Sequence, residues 1–203
     1  MNRTYFKTVM TDGTDFHTGE VHWLPADGAP IPEGGWVVEH PTSDRVEDDP
    51  NIYLSVATVA TNCTWMRWPC RLLRVVPDGR QVRIPEPEAL PHERASIRWR
   101  VIDELPAWQA LGPQGREIET LLGQIENLTE YQTLQIYAAR GAAWGAAWDA
   151  AWDSDRDAAW DPAWGAAWDA IRGLLVLDLE PDAAEILLAP WVSVMGRSWE
   201  VAA

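Results

Sequence analysis

The sequence predicts an α+β protein, with a β-rich N-terminal domain over residues 1–110 and a helical region over 111–203. Three observations predict it. Up to Trp108, short β-prone runs alternate with Pro and Gly punctuation. From Pro113 onward, apolar residues recur at helical spacing. Charge divides along similar lines: residues 1–100 hold 14 acidic and 11 basic side chains, residues 101–203 hold 17 and five.

The elements follow in order. Thr4–Met10 is a β-prone stretch, and Phe16–Leu24 is expected as a second strand after the Asp12-Gly13 turn. Trp36-Val37-Val38 follows Gly34-Gly35, and Asn51–Ala60 is rich in β-branched and aromatic residues. Cys70–Val76 is largely apolar and runs into the turn Pro77-Asp78-Gly79, after which Gln81–Ile84 is expected to return as a hairpin partner. Ala95–Ile102 alternates, with Ile97, Trp99 and Val101 on one face and Arg98 and Arg100 on the other, as a half-buried strand does.

In the second region, Ile118, Leu121, Leu122, Ile125 and Leu128 form one helical stripe, which Tyr131 and Leu134 extend. A low-complexity repeat of Ala-Ala-Trp-Asp type then fills residues 142–170 and places Trp144, Trp148, Trp152, Trp160, Trp164 and Trp168 in steps of four. Each step turns a helix through about 400°, so the stripe drifts by roughly 240° from first ring to last. One straight helix cannot bury all six rings on one face. Asp161-Pro162 reads as the N-cap and first position of a new helix. A helical hairpin with facing Trp–Ala surfaces, or a single kinked helix, is therefore expected. Beyond it, Pro181 is expected to open a short helix to about Leu188, closed by Pro190-Trp191, with the last dozen residues loosely docked.

Composition narrows the function classes. The formal net charge is -15 over 203 residues, which argues against direct nucleic-acid binding or an anionic membrane surface. No apolar run reaches the roughly 18 residues of a membrane span, and no apolar h-region follows the N-terminus, so a cytoplasmic protein with reduced thiols is expected. Lys7 is the single lysine beside 15 arginines, so amine chemistry rests on it alone.

The repeat followed by Gly173-Leu174-Leu175-Val176-Leu177-Asp178-Leu179 and Ala189-Pro190-Trp191 resembles the C-termini of uncharacterised proteins of actinobacteria and their phages. The N-terminal region resembles small domains of the same genomes, through Trp36, Ile52-Tyr53-Leu54-Ser55, Trp68–Val75 and the Arg-rich strand ending near Trp108. The resemblance implies a phage or actinobacterial source and, for a phage protein, the host cytoplasm. It implies no catalytic residue.

The chemistry-bearing residues are few. Cys63 and Cys70 are seven positions apart, wider than zinc-knuckle spacing, and are expected as ordinary thiols with no metal. Glu20 and His22 are expected on one strand face with His17 opposite, a possible acid/base pair but more readily a surface edge. Glu47-Asp48-Asp49 lacks the alternation and glycine of a calcium loop. No cofactor is implied. The expected role is a non-enzymatic accessory protein whose acidic Trp-rich half binds a protein partner or a second copy of itself. The six tryptophans of the repeat are the candidate surface, and DNA mimicry by its aspartates is a variant of that role. The alternative is a small enzyme or nucleotide-binding domain, loosely similar to ADP-ribosyltransferase folds, with a cleft near His17, Glu20, His22 or Tyr53.

Overall fold

The computed structural model describes residues 3–41, 53–63, 67–78, 88, 90–125, 127–136, 138–139, 162–178 and 181–200. They belong to two compact units, Met1–Gly112 and Pro113–Ala203. The architecture is α+β, with the sheet in the first unit and the helices in the second.

Six strands form the sheet: β1 Tyr5–Val9, β2 Trp36–Glu39, β3 Leu54–Ala57, β4 Arg71–Pro77, β5 Glu93–Ser96 and β6 Arg98–Leu105. Their spatial order is β2-β6-β4-β1-β3-β5, and every pairing is antiparallel. Only Ile97 separates β5 from β6, yet β5 is the far edge and β6 the second strand from the opposite edge. Strands joined by one residue must lie within a few ångströms of each other. The sheet therefore curls until its β5 end comes round to β6. The His40 N–H donates to the Ile97 carbonyl at 2.9 Å and fastens the bend. The expected continuous strand Ala95–Ile102 is thus two strands, although its alternation survives: Trp99 and Val101 are fully buried, while Arg98 and Arg100 are half-buried on the other face.

The concave face holds the core of Tyr5, Val9, Val38, Leu54, Val56, Leu73, Val75, Trp99 and Val101. Trp99 is its centre. Its ring meets Tyr5 edge-on at 5.3 Å, and its Nε1–H donates to the Leu54 carbonyl at 2.9 Å. A bulge sets Arg74 opposite Asp103 but Val75 opposite Val101, leaving Ile102 as the extra residue. Leu72 and Leu73 are both fully buried, so β4 is covered on both faces; the turn Ala107–Leu111 packs on it. Gly35 lies where β2 begins, at φ 81°, and a Cβ there would meet the Val101 carbonyl oxygen at 2.8 Å. Only glycine fits that approach.

The expected strand over Phe16–Leu24 is absent. The segment is a loop whose backbone is claimed locally: Asp15 accepts from the N–H groups of His17, Thr18 and Val21, leaving them unavailable to a ladder. The loop still contributes to the core, through Val21, Trp23 and Leu24. The expected hairpin strand Gln81–Ile84 and the acidic run Glu47-Asp48-Asp49 lie outside the described residues.

In the second unit, helix α1 is Gly115–Ile125, α2 covers 130–136, α3 is Pro162–Val176 and α4 is Pro181–Met195. Helix α1 buries Ile118, Leu121, Leu122 and Ile125, the expected stripe. The stripe does not continue as expected through Tyr131 and Leu134, which are 69% and 59% exposed. The cause is a capping box. Thr129 Oγ1 accepts from the Gln132 N–H at 3.2 Å, and Gln132 Oε1 accepts from the Thr129 N–H at 2.9 Å. A new helix begins there and its faces rotate relative to α1.

Helix α3 begins at Pro162, as the Asp-Pro signal predicts. It packs closely on α4, because Gly173 admits Leu188 and the Ala184 carbonyl to 2.8 and 3.1 Å from where a Cβ would stand. Helix α4 does not close at Pro190 but runs through it to Met195. Burial of Leu188, Pro190 and Trp191 along that stretch outweighs the one hydrogen bond a mid-helix proline removes. Nor is the end of the chain loosely docked: Trp199 is buried, and Ser198 bonds both Trp191 Nε1 at 3.3 Å and Gln124 Oε1 at 2.7 Å.

Candidate functional site

Two places carry more chemistry than packing requires, one in each unit. In the β unit, the loop after β1 is knotted by one carboxylate. Asp15 is 5% exposed and accepts four hydrogen bonds, from the backbone of His17, Thr18 and Val21 and from the Thr18 hydroxyl at 2.7 Å. These donors outweigh the cost of burying the charge and hold the carboxyl down at about 2. Backbone bonds from Met10 to Thr14, Asp15 to Val21 and Trp23 to Gly13 complete the knot. Its result is to lay Trp23, fully buried, against β1.

Lys7 lies on the core-facing side of β1, two residues from Tyr5 and from Val9 and opposite Leu73 of β4. Its ammonium stands 5.0 Å from the centre of the Trp23 indole. Among the described residues no carboxylate comes within ion-pair distance of it, and the buried Trp23 Nε1–H has no hydrogen-bond partner. Burial pushes the Lys7 amine below its ordinary value, against the opposing pull of Asp15 and Glu93. Cys63 lies nearby, its carbonyl bonded by the Thr8 hydroxyl. Burial pushes its thiol up to about 12, so it is uncharged at neutral pH, which suits neither a nucleophile nor a metal ligand.

The acid/base expectation fares differently. His17, Glu20 and His22 are all exposed on the loop, and without the strand they do not share a strand face. Tyr53 is part-buried just before β3. Among the described residues no three His, Cys, Asp or Glu side chains are grouped to hold a metal ion.

On the outward face of the sheet the arginines are matched by carboxylates. Arg71 makes a two-pronged pair with Glu104 at 2.8 and 2.6 Å, Arg74 pairs with Asp103 at 2.7 Å, and Asp78 is held by Arg98 at 2.6 Å and by Arg100.

The helical unit carries the second place. Of the expected tryptophans, Trp144, Trp148, Trp152 and Trp160 lie outside the described residues. Trp164 and Trp168 sit one turn apart on α3. Trp168 is part-buried, and the aspartate after it, Asp169, is 1% exposed and pairs with Arg172 at 3.5 Å. The exposed apolar side chains are elsewhere. Tyr131 and Leu134 stand one turn apart on α2, and Ile186 on α4 is 59% exposed. The sequence signal for Tyr131 and Leu134 is the Thr129 cap that ends the α1 stripe.

No helix among the described residues is long and apolar enough to cross a membrane. Comparison with protein-family models, with curated proteins and with solved structures finds no match for this chain.

Proposed function

We propose that this protein is a non-enzymatic accessory protein, phage-encoded or actinobacterial and acting in the cytoplasm, that binds a basic protein partner through its helical unit. One observation carries the reading. Tyr131 and Leu134, 69% and 59% exposed, form an apolar pair one turn apart on a capped helix. They belong to a unit with 15 acidic and five basic side chains over residues 113–203. Aromatic and aliphatic anchors on a unit of one sign of charge suit a partner that offers an apolar cleft and the other sign. The same charge disfavours a second copy of this chain as the occupant, since two such surfaces repel. Trp164 and Trp168 belong to the same unit.

The test compares the full chain with its Tyr131→Ser/Leu134→Ser variant as baits at two salt concentrations. The reading expects one basic protein retained by the parent chain, lost from the variant, and weakened as salt rises from about 50 to 200 mM. Circular dichroism of the variant must match the parent. A partner set identical for both baits overturns the assignment to α2, and a salt-insensitive partner overturns its basic character.

A further inference from the structure

We propose that Lys7 is a carbonyl-capturing amine, whose Nζ, held over the Trp23 indole, forms a reversible imine with an aldehyde or ketone carried on a small aromatic or apolar body. The argument is geometric first. The sequence's single lysine stands on the core-facing side of a central strand, among Tyr5, Val9 and Leu73, where an alkyl chain packs but a charge is poorly solvated. Among the described residues its one close partner is the face of an aromatic ring, which tolerates the ammonium without binding it as a carboxylate would. Lys7 keeps part of its surface exposed to solvent.

The charged and titratable groups that act on it are Asp15, Cys63 and Glu93. Asp15 is committed to four donors of its own loop, and Cys63 remains a neutral thiol. Burial therefore dominates and favours the neutral amine, the form that attacks carbonyls. The buried Trp23 Nε1–H has no partner among the described residues.

The chemistry balances without a redox partner. The Nζ lone pair attacks the carbonyl carbon to form the C–N bond, and the oxygen takes the proton released from nitrogen. The resulting carbinolamine then loses that hydroxyl as water, the second proton coming from the nitrogen, and the C=N double bond remains. The site lies in the β unit and stands independently of the partner proposed for the helical unit.

The test uses the intact chain with benzaldehyde and sodium cyanoborohydride at pH 7, which reduces any imine to a stable secondary amine. Peptide mass mapping reads residue 7, and the Met1 α-amine serves as the internal clock. Each unit of lowered pKa raises the neutral fraction about tenfold while intrinsic nucleophilicity falls by less. Lys7 in the folded chain is thus expected to label faster than in the urea-unfolded chain. Its rate should level off below the ordinary lysine value of about pH 10.4. Lys7→Arg, which keeps a cation over the indole, should lose the adduct at residue 7 alone. Labelling no faster than in the unfolded chain, or a plateau at the ordinary lysine value, overturns the proposal.

Discussion

In the β unit the core is filled by large rings: Trp23 and Trp99 are each fully buried, and Tyr5 meets Trp99 edge-on. Between α3 and α4 of the helical unit the crossing is made by Gly173 and Ala184, with Leu188 set into the gap. Among the described residues each unit buries a carboxylate, Asp15 among four donors and Asp169 beside Arg172, and the helical unit adds uncharged links from Thr129 to Gln132 and from Gln124 to Ser198. Ring-filled cores tolerate truncation poorly because nothing collapses into the void. Small-residue crossings tolerate enlargement poorly because there is no void to fill. The sheet core and the α3–α4 crossing should therefore fail under opposite substitutions.

The largest expected effect follows from removing the central ring. Trp99→Ala should cost about 3–5 kcal/mol, seen in denaturant unfolding followed by near-ultraviolet circular dichroism. A loss below about 1 kcal/mol would mean the rings are not what holds the curled sheet.

Next comes the buried carboxylate. Asp15→Ala should cost about 2 kcal/mol by leaving backbone N–H groups of the loop unpaired. The acid dependence has a definite sign. The folded-state value of about 2 lies below the ordinary 3.8. The stabilisation from Asp15 is thus complete above about pH 4 and is lost as pH falls through about 2, amounting to about 1–2 kcal/mol once solvent screening is allowed for. Unfolding measured between pH 5 and pH 2.5 should show this slope in the parent and lose it in Asp15→Asn.

The opposite substitution belongs to the helical unit. Gly173→Ala should cost about 1–2 kcal/mol although alanine is the better helix former, because its methyl meets Leu188 and the Ala184 carbonyl. A gain in thermal stability would show that the crossing has slack and would erase the contrast. The smallest effect is at the cap. Thr129→Ala should cost about 1 kcal/mol, read as faster amide exchange confined to the first turn of α2. The same variant should weaken partner binding if Tyr131 and Leu134 need that helix.

Much of this was legible in the residues. The alternation of Trp99 and Val101 against Arg98 and Arg100, the stripe of Ile118, Leu121, Leu122 and Ile125, and the Pro162 start are local patterns, and local patterns survive folding. What escaped was set by competition or by distance. Phe16–Leu24 has strand-like residues, but Asp15 captures its amides. Pro190 signals a stop that the burial of Leu188 and Trp191 overrides. The candidate sites divide likewise. Lys7 stands out in composition, but its indole partner is 16 positions away, brought there by a loop closure that no periodicity announces. Tyr131 and Leu134 look like core until Thr129 is read as a cap.

The pairing order of the sheet has a consequence for how the chain comes to exist. Thr8 of β1 pairs with Leu72, and Trp36 of β2 pairs with Val101. During synthesis, β1 emerges with neither neighbour and β2 waits for the last strand of the unit. β1 stays unpaired until Ala57 of β3 follows Phe6 by 51 residues, and β2 until Val101 follows Trp36 by 65, at a pace of about 5–20 residues per second. An open ladder is exposed to other chains for those intervals, and among the described residues β2 stays at an edge of the sheet. The helical unit, by contrast, joins α3 to α4 across a four-residue connection. Vectorial synthesis thus presents the slow-closing unit first, giving it the whole translation time of residues 113–203 in which to curl shut.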